Sequence, residues 1–208
     1  MRKKRIALFG ATGAVGGYFL NKALSDGHDV VALVRSPDKV ITHENLYLIK
    51  GDVSNPDDVA KTVATADIVV SCLGNVNKNL IMDKAAKSIL SSAARESVLP
   101  RCMFISTIGC GGTSWLIKMI LTMIGGRAGM ADYERADARI TSERIVPYML
   151  VRPGALREIP GNGKYRVFKG GGTFARPIAK QDVAQFLFDA ISDTQWDGDR
   201  GVQLAGAK

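Results

Sequence analysis

Apolar residues along the chain come in short runs that alternate between two periods. Residues 5–9 (Arg-Ile-Ala-Leu-Phe) and Val30–Val34 are nearly continuous apolar runs, the pattern of central strands covered on both faces. Between them, Tyr18-Phe19-Leu20 and Ala23-Leu24 recur at helical spacing and predict a helix over Ala14–Ser25. Further strands are expected at Leu46–Ile49, Asp67–Cys72 and Cys102–Ser106, with a sixth ending at Arg152. Pro56-Asp57-Asp58 opens a helix, with proline and acids in the favoured first turn. A long helix is expected over Leu80–Ser97, and Pro100 stops the segment after it. The last third is less regular until a helix starts within Ile178–Ala184. Strands alternating with helices imply right-handed crossovers and an α/β, doubly wound parallel sheet. No repeat, low-complexity tract or linker divides the 208 residues, so one domain is expected.

The first strand turns into the first helix through Gly10-Ala11-Thr12-Gly13-Ala14-Val15-Gly16. Free backbone N–H groups at such a helix start, together with the helix dipole, suit a pyrophosphate. Gly10 makes the tight turn, Gly13 lets backbone approach the phosphates, and Gly16 lets helix and strand pack closely. The context is that of a Rossmann-type dinucleotide site, and Thr12, Ala14 and Val15 complete its loop. The second strand ends in Arg35 and Ser36, with Lys39 nearby, and the first acid after it is Asp38, beyond Pro37. At this tip an acid would take the ribose hydroxyls of NAD, whereas an arginine accommodates the 2′-phosphate of NADP. The expected cofactor is therefore NADP(H), gripped by the fork of Arg35. The remaining strand tips complete the groove. Asp52 and Val53 are placed beside the adenine, Leu73-Gly74-Asn75 along the ribose and phosphates, and Ser106-Thr107 before the nicotinamide.

Composition changes this picture little. The net charge of +8 raises nucleic acid as a partner, but Arg2-Lys3-Lys4-Arg5 supplies half the excess. No nucleic-acid-binding motif accompanies it, and none is expected as a partner. The three cysteines, Cys72, Cys102 and Cys110, lack metal spacing and read as thiols of a reducing, cytoplasmic compartment. No metal site is expected. The most apolar run, Trp115–Ile124, is interrupted by Lys118 and too short for a transmembrane segment. A homo-oligomer finds no support in the sequence.

Together, Gly10-x-Thr12-Gly13-x-x-Gly16, Val34-Arg35, Gly51-Asp52-Val53, Ile105-Ser106-Thr107 and Val151-Arg152-Pro153-Gly154-Ala155-Leu156 resemble the atypical short-chain dehydrogenase/reductase superfamily. Within it the chain resembles the NAD(P)H-binding branch that includes biliverdin-IXβ reductase (flavin reductase) and the NmrA-like proteins. The resemblance spans nearly the whole chain, including Ile178–Ala184. It implies a Rossmann core with a small C-terminal substrate region, substrate-side elements falling near 111–135 and 154–178. It also implies that Pro153, Gly154 and Ala155 close over the nicotinamide end of the cofactor, and leaves Arg152, at the end of the sixth strand, either that role or a purely structural one.

One departure stands out. Typical superfamily members carry a Tyr-x-x-x-Lys pair, in which the lysine lowers the tyrosine pKa. Here the expected helix reads Tyr133-Glu134-Arg135-Ala136-Asp137, with an acid in the lysine position, expected to raise a neighbouring tyrosine's pKa. Tyr18/Lys22 lie on the helix behind the phosphate loop. Tyr165/Lys169 lie on a predicted strand, roughly 13 Å apart. The usual acid–base pair is therefore read as absent. Thr107 is the candidate active-site hydroxyl; Ser106 is expected to bond the cofactor or backbone. His28 and His43 receive no catalytic role.

The reading is an NADPH-dependent oxidoreductase passing hydride to a small planar acceptor such as a flavin, quinone or tetrapyrrole. Biliverdin-IXβ reductase-like proteins are implied to work this way without the Tyr/Lys pair. The alternatives are a non-catalytic NADP(H)-sensing or scaffold protein of the NmrA-like kind, and an epimerase- or dehydratase-like enzyme. The segment Gly111–Gly129 is expected to form a short helix covering the substrate side, hinged at its glycines. Its rivals are a dimer interface, a membrane-surface contact and plain core.

Overall fold

The structure, a computed structural model, describes residues 2–74, 79–112, 115–169, 176–198 and 201–207. The chain leaves β1 (Arg5–Phe9) through α1 (Ala14–Ser25) to β2 (Asp29–Val34) and on to β3 (Leu46–Lys50). It returns through α2 (Pro56–Val63) to β4 (Ile68–Ser71) on the other side of β1, then through α3 (Met82–Ala93) to β5 (Arg101–Ile105). Helices α4 (Trp115–Gly125) and α5 (Arg127–Thr141) precede β6 (Tyr148–Pro153). Next come the two-residue β7 (Leu156–Arg157), then β8 (Tyr165–Lys169), β9 (Ile178–Ala179), α6 (Lys180–Asp189) and β10 (Val202–Gly206).

The main sheet has the order β3-β2-β1-β4-β5-β6-β10-β8. Seven strands run parallel and β8 runs antiparallel to β10 at the edge, while β7 and β9 form a separate two-stranded parallel ladder. The order reverses between β2 and β4, on either side of β1. Ligands of such sheets bind outside the strand C-termini at that switch point. The edge strand β8 carries exposed Arg166 and Lys169, with exposed Lys164 just before it. Charge on an edge discourages pairing with another chain.

Side-chain alternation along each strand divides the core into two layers. Ile6 and Leu8 of β1 face α1 and α6, packing with Phe19, Leu20 and Leu187. Ala7 and Phe9 face the other way, with Val59 of α2, Ile89 and Leu90 of α3, and Ile140 of α5. His28, just before β2, is fully buried beside Phe188, and its Nδ1 accepts from Lys4 N at 3.1 Å. Burial pushes its pKa down. It sits at the N-terminal edge of the sheet, away from the strand tips.

The sequence expectation for α3 is too long at both ends. The helix starts at Met82 because a residue outside the segment sets its beginning. Asp132 of α5, 2% exposed, accepts from Met82 N at 2.9 Å and from Asp83 N at 3.4 Å, satisfying orphan donors of the first turn. At the other end, Arg95 N donates to Ser92 O and Glu96 N to Ala93 O, which closes the helix with tight turns.

Asp132→Ala removes a buried acceptor, and a donor left buried and unpaired costs about 1–3 kcal/mol. Urea unfolding should show that loss at unchanged slope, with a smaller loss for Asp132→Asn, which keeps one acceptor oxygen.

Candidate functional site

The phosphate-loop glycines are dictated by space. Gly10 has φ 87°, and a Cβ there would stand 2.8 Å from Cys72 O. A Cβ at Gly16 would stand 2.1 Å from Gly10 O, so any other residue would push the first turn of α1 away from the turn that leads into it. Gly13 N donates to Gly10 O at 2.9 Å and closes the turn. No side chain caps α1 at Gly13, and no acid stands in its first turn. The start of α1 thus offers backbone donors and a positive dipole end to an anion, in a cradle that side chains would fill. These residues fit the pyrophosphate of a dinucleotide.

A groove of about 520 Å³ runs from this turn across the strand tips. It brings together Gly10, Thr12 and Gly13 with Arg35 at the β2 tip. Asp52 and Val53 after β3, and Leu73 and Gly74 after β4, line it too. Asn75 lies outside the described residues. The exposed Arg35 closes one end, and Asp52 sits within its field. The Ser54 backbone N–H donates to Asp52 Oδ1 at 2.8 Å. That bond, the Ser54 hydroxyl and Arg35 together hold the Asp52 carboxyl below the usual carboxylate range. The tip itself is built by α2: Asp58 Oδ2 accepts from Asp52 N at 3.1 Å, and a Cβ on Gly51 would collide with the same carboxylate at 2.4 Å. Sequence reasoning missed Ser54, Asn79, Leu80, Ile81 and Lys84, which also line the groove. They follow strand tips at a distance that no single-residue pattern marks.

Other expected residues lie elsewhere. Val15 and Gly16 are buried under the loop, where they pack rather than touch a ligand. Ala14 and Lys39 line an adjoining cleft of about 320 Å³, which shares Thr12 and Gly13 with the groove. Ser36, half-buried, accepts from Lys39 N in the turn after β2. Pro153 and Gly154 are buried at the end of β6, where Gly154 N donates to Leu204 O at 2.8 Å. Ala155 is exposed, and its carbonyl accepts from Ile178 N at 3.0 Å.

Arg152 takes the structural one of its two expected roles. It is 1% exposed and turned into the protein, not along the groove. Its Nε donates to Asp137 Oδ2 at 2.8 Å and its Nη2 to Asp137 Oδ1 at 2.7 Å, a bidentate pair. Ser106 Oγ donates to the same Asp137 Oδ2 at 3.0 Å, so Ser106 serves a carboxylate instead of the cofactor or backbone. Asp137, the acid at the position where the sequence resemblance would put a lysine, is thus paired with a cation from the neighbouring strand. The Tyr133 hydroxyl reaches the β4 tip, 3.4 Å from where a Cβ on Gly74 would stand. Thr107, half-buried, starts a turn in which Cys110 N donates to its carbonyl at 3.2 Å.

Burial pushes the thiols of Cys72 and Cys110 up to about 12, and Asp137 adds to the effect at Cys110. Neither is a thiolate near neutrality. Among the described residues, no group of His, Cys, Asp and Glu is disposed to hold a metal, and no helix is long and apolar enough to cross a membrane.

Beyond the β5 tip stands α4, tied to α5 by Lys118 Nζ and Glu134 Oε1 at 2.5 Å. Its Trp115 and Met123 are 74% and 79% exposed, and Met119 and Ile120 are exposed too, which removes the plain-core reading for that face. Gly111, Gly112 and Gly126, which bracket the helix, all have positive φ. Thr113 and Ser114 lie outside the described residues.

Comparison with known proteins agrees with this geometry. A divinyl chlorophyllide a 8-vinyl-reductase of Oryza sativa subsp. indica is 25% identical over 224 residues, covering 90% of this chain and 51% of that protein. The chain thus spans about half of that relative's length. The solved structure of an anaerobilin reductase from Escherichia coli O157:H7 superposes with a TM-score of 0.81 at 20% identity, covering 98% of both chains. A short-chain dehydrogenase/reductase from Veillonella parvula, solved with NADP, superposes with a TM-score of 0.83 at 15% identity, covering 97% of this chain and 94% of that one. At these identities the two structures speak for the fold, a Rossmann-type sheet. Residues 10–194, from the first phosphate-loop glycine to beyond α6, match the NAD(P)H-binding family, and the chain belongs to that family.

Proposed function

We propose that this protein is an NADPH-dependent reductase that holds the reduced cofactor against a small planar acceptor, a flavin, quinone or tetrapyrrole. The observation that carries the reading is the glycine-cradled groove closed at the β2 tip by Arg35, with no acid between Val34 and Pro37. A guanidinium there matches a 2′-phosphate and offers the ribose hydroxyls of NADH no carboxylate partner. Bound in the groove, the nicotinamide supplies a hydride. The chain's own work is to bind, to orient and to offer a hydroxyl at Thr107. The names of the chlorophyllide and anaerobilin reductases support a conjugated tetrapyrrole among the acceptors to be tried.

A second reading, a cofactor sensor without turnover, draws on Asp137. With its charge spent on Arg152, helix α5 gives Tyr133 no lysine one turn away. Absorbance-monitored NADPH oxidation with a panel of flavins, quinones and linear tetrapyrroles separates the two. Turnover with any acceptor supports the reductase, and none across the panel supports the sensor.

Arg35→Ala should weaken NADPH binding about tenfold to a hundredfold, the range for a charged contact of about 1.5–3 kcal/mol. The exposure of Arg35 favours the lower end. NADH binding should stay nearly unchanged. Titration of both cofactors decides it, and equal affinity of the unaltered protein for the two would sink the assignment.

Turnover should survive Tyr133→Phe largely intact, whereas Thr107→Ala should lower kcat more than it lowers NADPH affinity. A thousandfold loss on Tyr133→Phe, with the fold intact by circular dichroism, would return the acid role to Tyr133.

Helix α4 is proposed as a lid over the acceptor side, hinged at its glycines. Hydrogen exchange over 115–125 should slow when acceptor joins NADPH. Slowing that follows protein concentration instead would make this face a subunit interface.

A further inference from the structure

The buried cluster of Ser106, Asp137 and Arg152 has a geometry that the proposed reductase activity leaves unexplained. Arg152, Asp137 and Ser106 are 1%, 5% and 7% exposed. A buried ion pair is a poor source of stability, because desolvation offsets its attraction and apolar residues of similar size usually serve as well. What a bidentate pair supplies is a fixed orientation.

That orientation is passed to one turn. Thr107–Cys110 is closed by the Cys110 N–H on the Thr107 carbonyl. At its entrance, Ser106 is held by its side chain on Asp137 Oδ2 at 3.0 Å and by its backbone N–H on Val151 O at 2.7 Å. At its exit stands Gly111, at φ 72°, packed so closely on Arg152 that a Cβ would stand 2.3 Å from Cζ and 2.6 Å from Nη1. Gly201, before β10, closes the opposite side, where a Cβ would stand 2.6 Å from the same Nη1. Both ends of the turn that carries Thr107 therefore rest on one carboxylate–guanidinium unit. The sequence places that carboxylate where the superfamily carries its lysine.

We infer that Ser106, Asp137 and Arg152 form a positioning unit that sets the Thr107 turn against the groove, with the Asp137–Arg152 pair standing in the place of the superfamily lysine. In this arrangement Asp137 and Arg152 act through Ser106, Gly111 and the Thr107 hydroxyl. The inference rests on the reductase reading only for its kinetic arm.

The test compares Asp137→Asn, the paired change Asp137→Leu/Arg152→Met, and each combined with Thr107→Ala. If Asp137→Asn fails to fold with a guanidinium buried alone, the paired change carries the test, since it removes both charges. Amide exchange over 106–111 should speed up about tenfold or more while β1 and α1 stay unchanged. NADPH affinity should hold within about threefold while kcat falls about thirtyfold or more. Thr107→Ala should then cost far less in the altered background than in the native one, because a displaced hydroxyl has little left to lose. Unchanged exchange over 106–111, or an equal cost of Thr107→Ala in both backgrounds, overturns the inference. If none of the flavins, quinones and tetrapyrroles tried supports NADPH oxidation by the native protein, the reductase reading fails by itself, and exchange alone decides the positioning role.

Discussion

The first turn of α1 lies on the backbone of the turn that follows β1 at a separation that only hydrogen atoms permit. A methyl group at Gly16 would sit 2.1 Å from the Gly10 carbonyl oxygen. Because the helix comes this close, its N-terminus points into the crevice where the strand order reverses. The same approach lets Phe19 and Leu20 reach the sheet core and gives α6 a surface to pack on. The groove, the dipole at its floor and one of the two core layers all follow from one missing side chain. The tips of β2, β3 and β4 then need only carry residues of suitable chemistry, since the sheet brings them to the same edge.

Around the β5 tip the organising contact is electrostatic. Asp137 and Arg152 come from a helix and a strand, and Gly111 and Gly201 bring two further segments within van der Waals contact of the guanidinium. Four stretches of chain, distant in sequence, meet at one charge pair. Apolar packing could hold them together as firmly but would tolerate sliding, whereas a planar fork on a carboxylate fixes angles as well as distances. The two halves of the candidate site are thus built on different physics: backbone proximity at the glycine turn, and charge geometry at the β5 tip.

Much of this was legible in the sequence, and unevenly so. Strands β1, β2 and β5 stand out because a strand covered on both faces must be apolar throughout, and the glycine spacing marks the tight turn into α1. Arg35, Asp52, Leu73 and Gly74 could be placed because each lies within three residues of the end of a strand. The boundaries of α3 could not, because Asp132, fifty residues later, sets its start. The direction of Arg152 was also out of reach. A residue at a strand tip can point into the crevice or into the core, and only its partner tells which. That partner was visible in the sequence as an acid where a lysine was expected. The signal was read as a defect in acid–base chemistry instead of as half of an ion pair.

The packing of α6 on α1 ties residues near one end of the described chain to those near the other. The apolar face of α1 is covered by Leu187 and its neighbours, and β8 reaches the main sheet only through β10. During synthesis, which proceeds from the N-terminus, α1 emerges some 160 residues before its cover does. Through that interval the surface of α1 that α6 covers stands open on one face of a half-formed sheet. A chain interrupted before Lys180 never acquires the cover, so its first helix remains an adhesive surface. The nascent protein therefore depends on holding that face apart from other chains until its closing elements arrive.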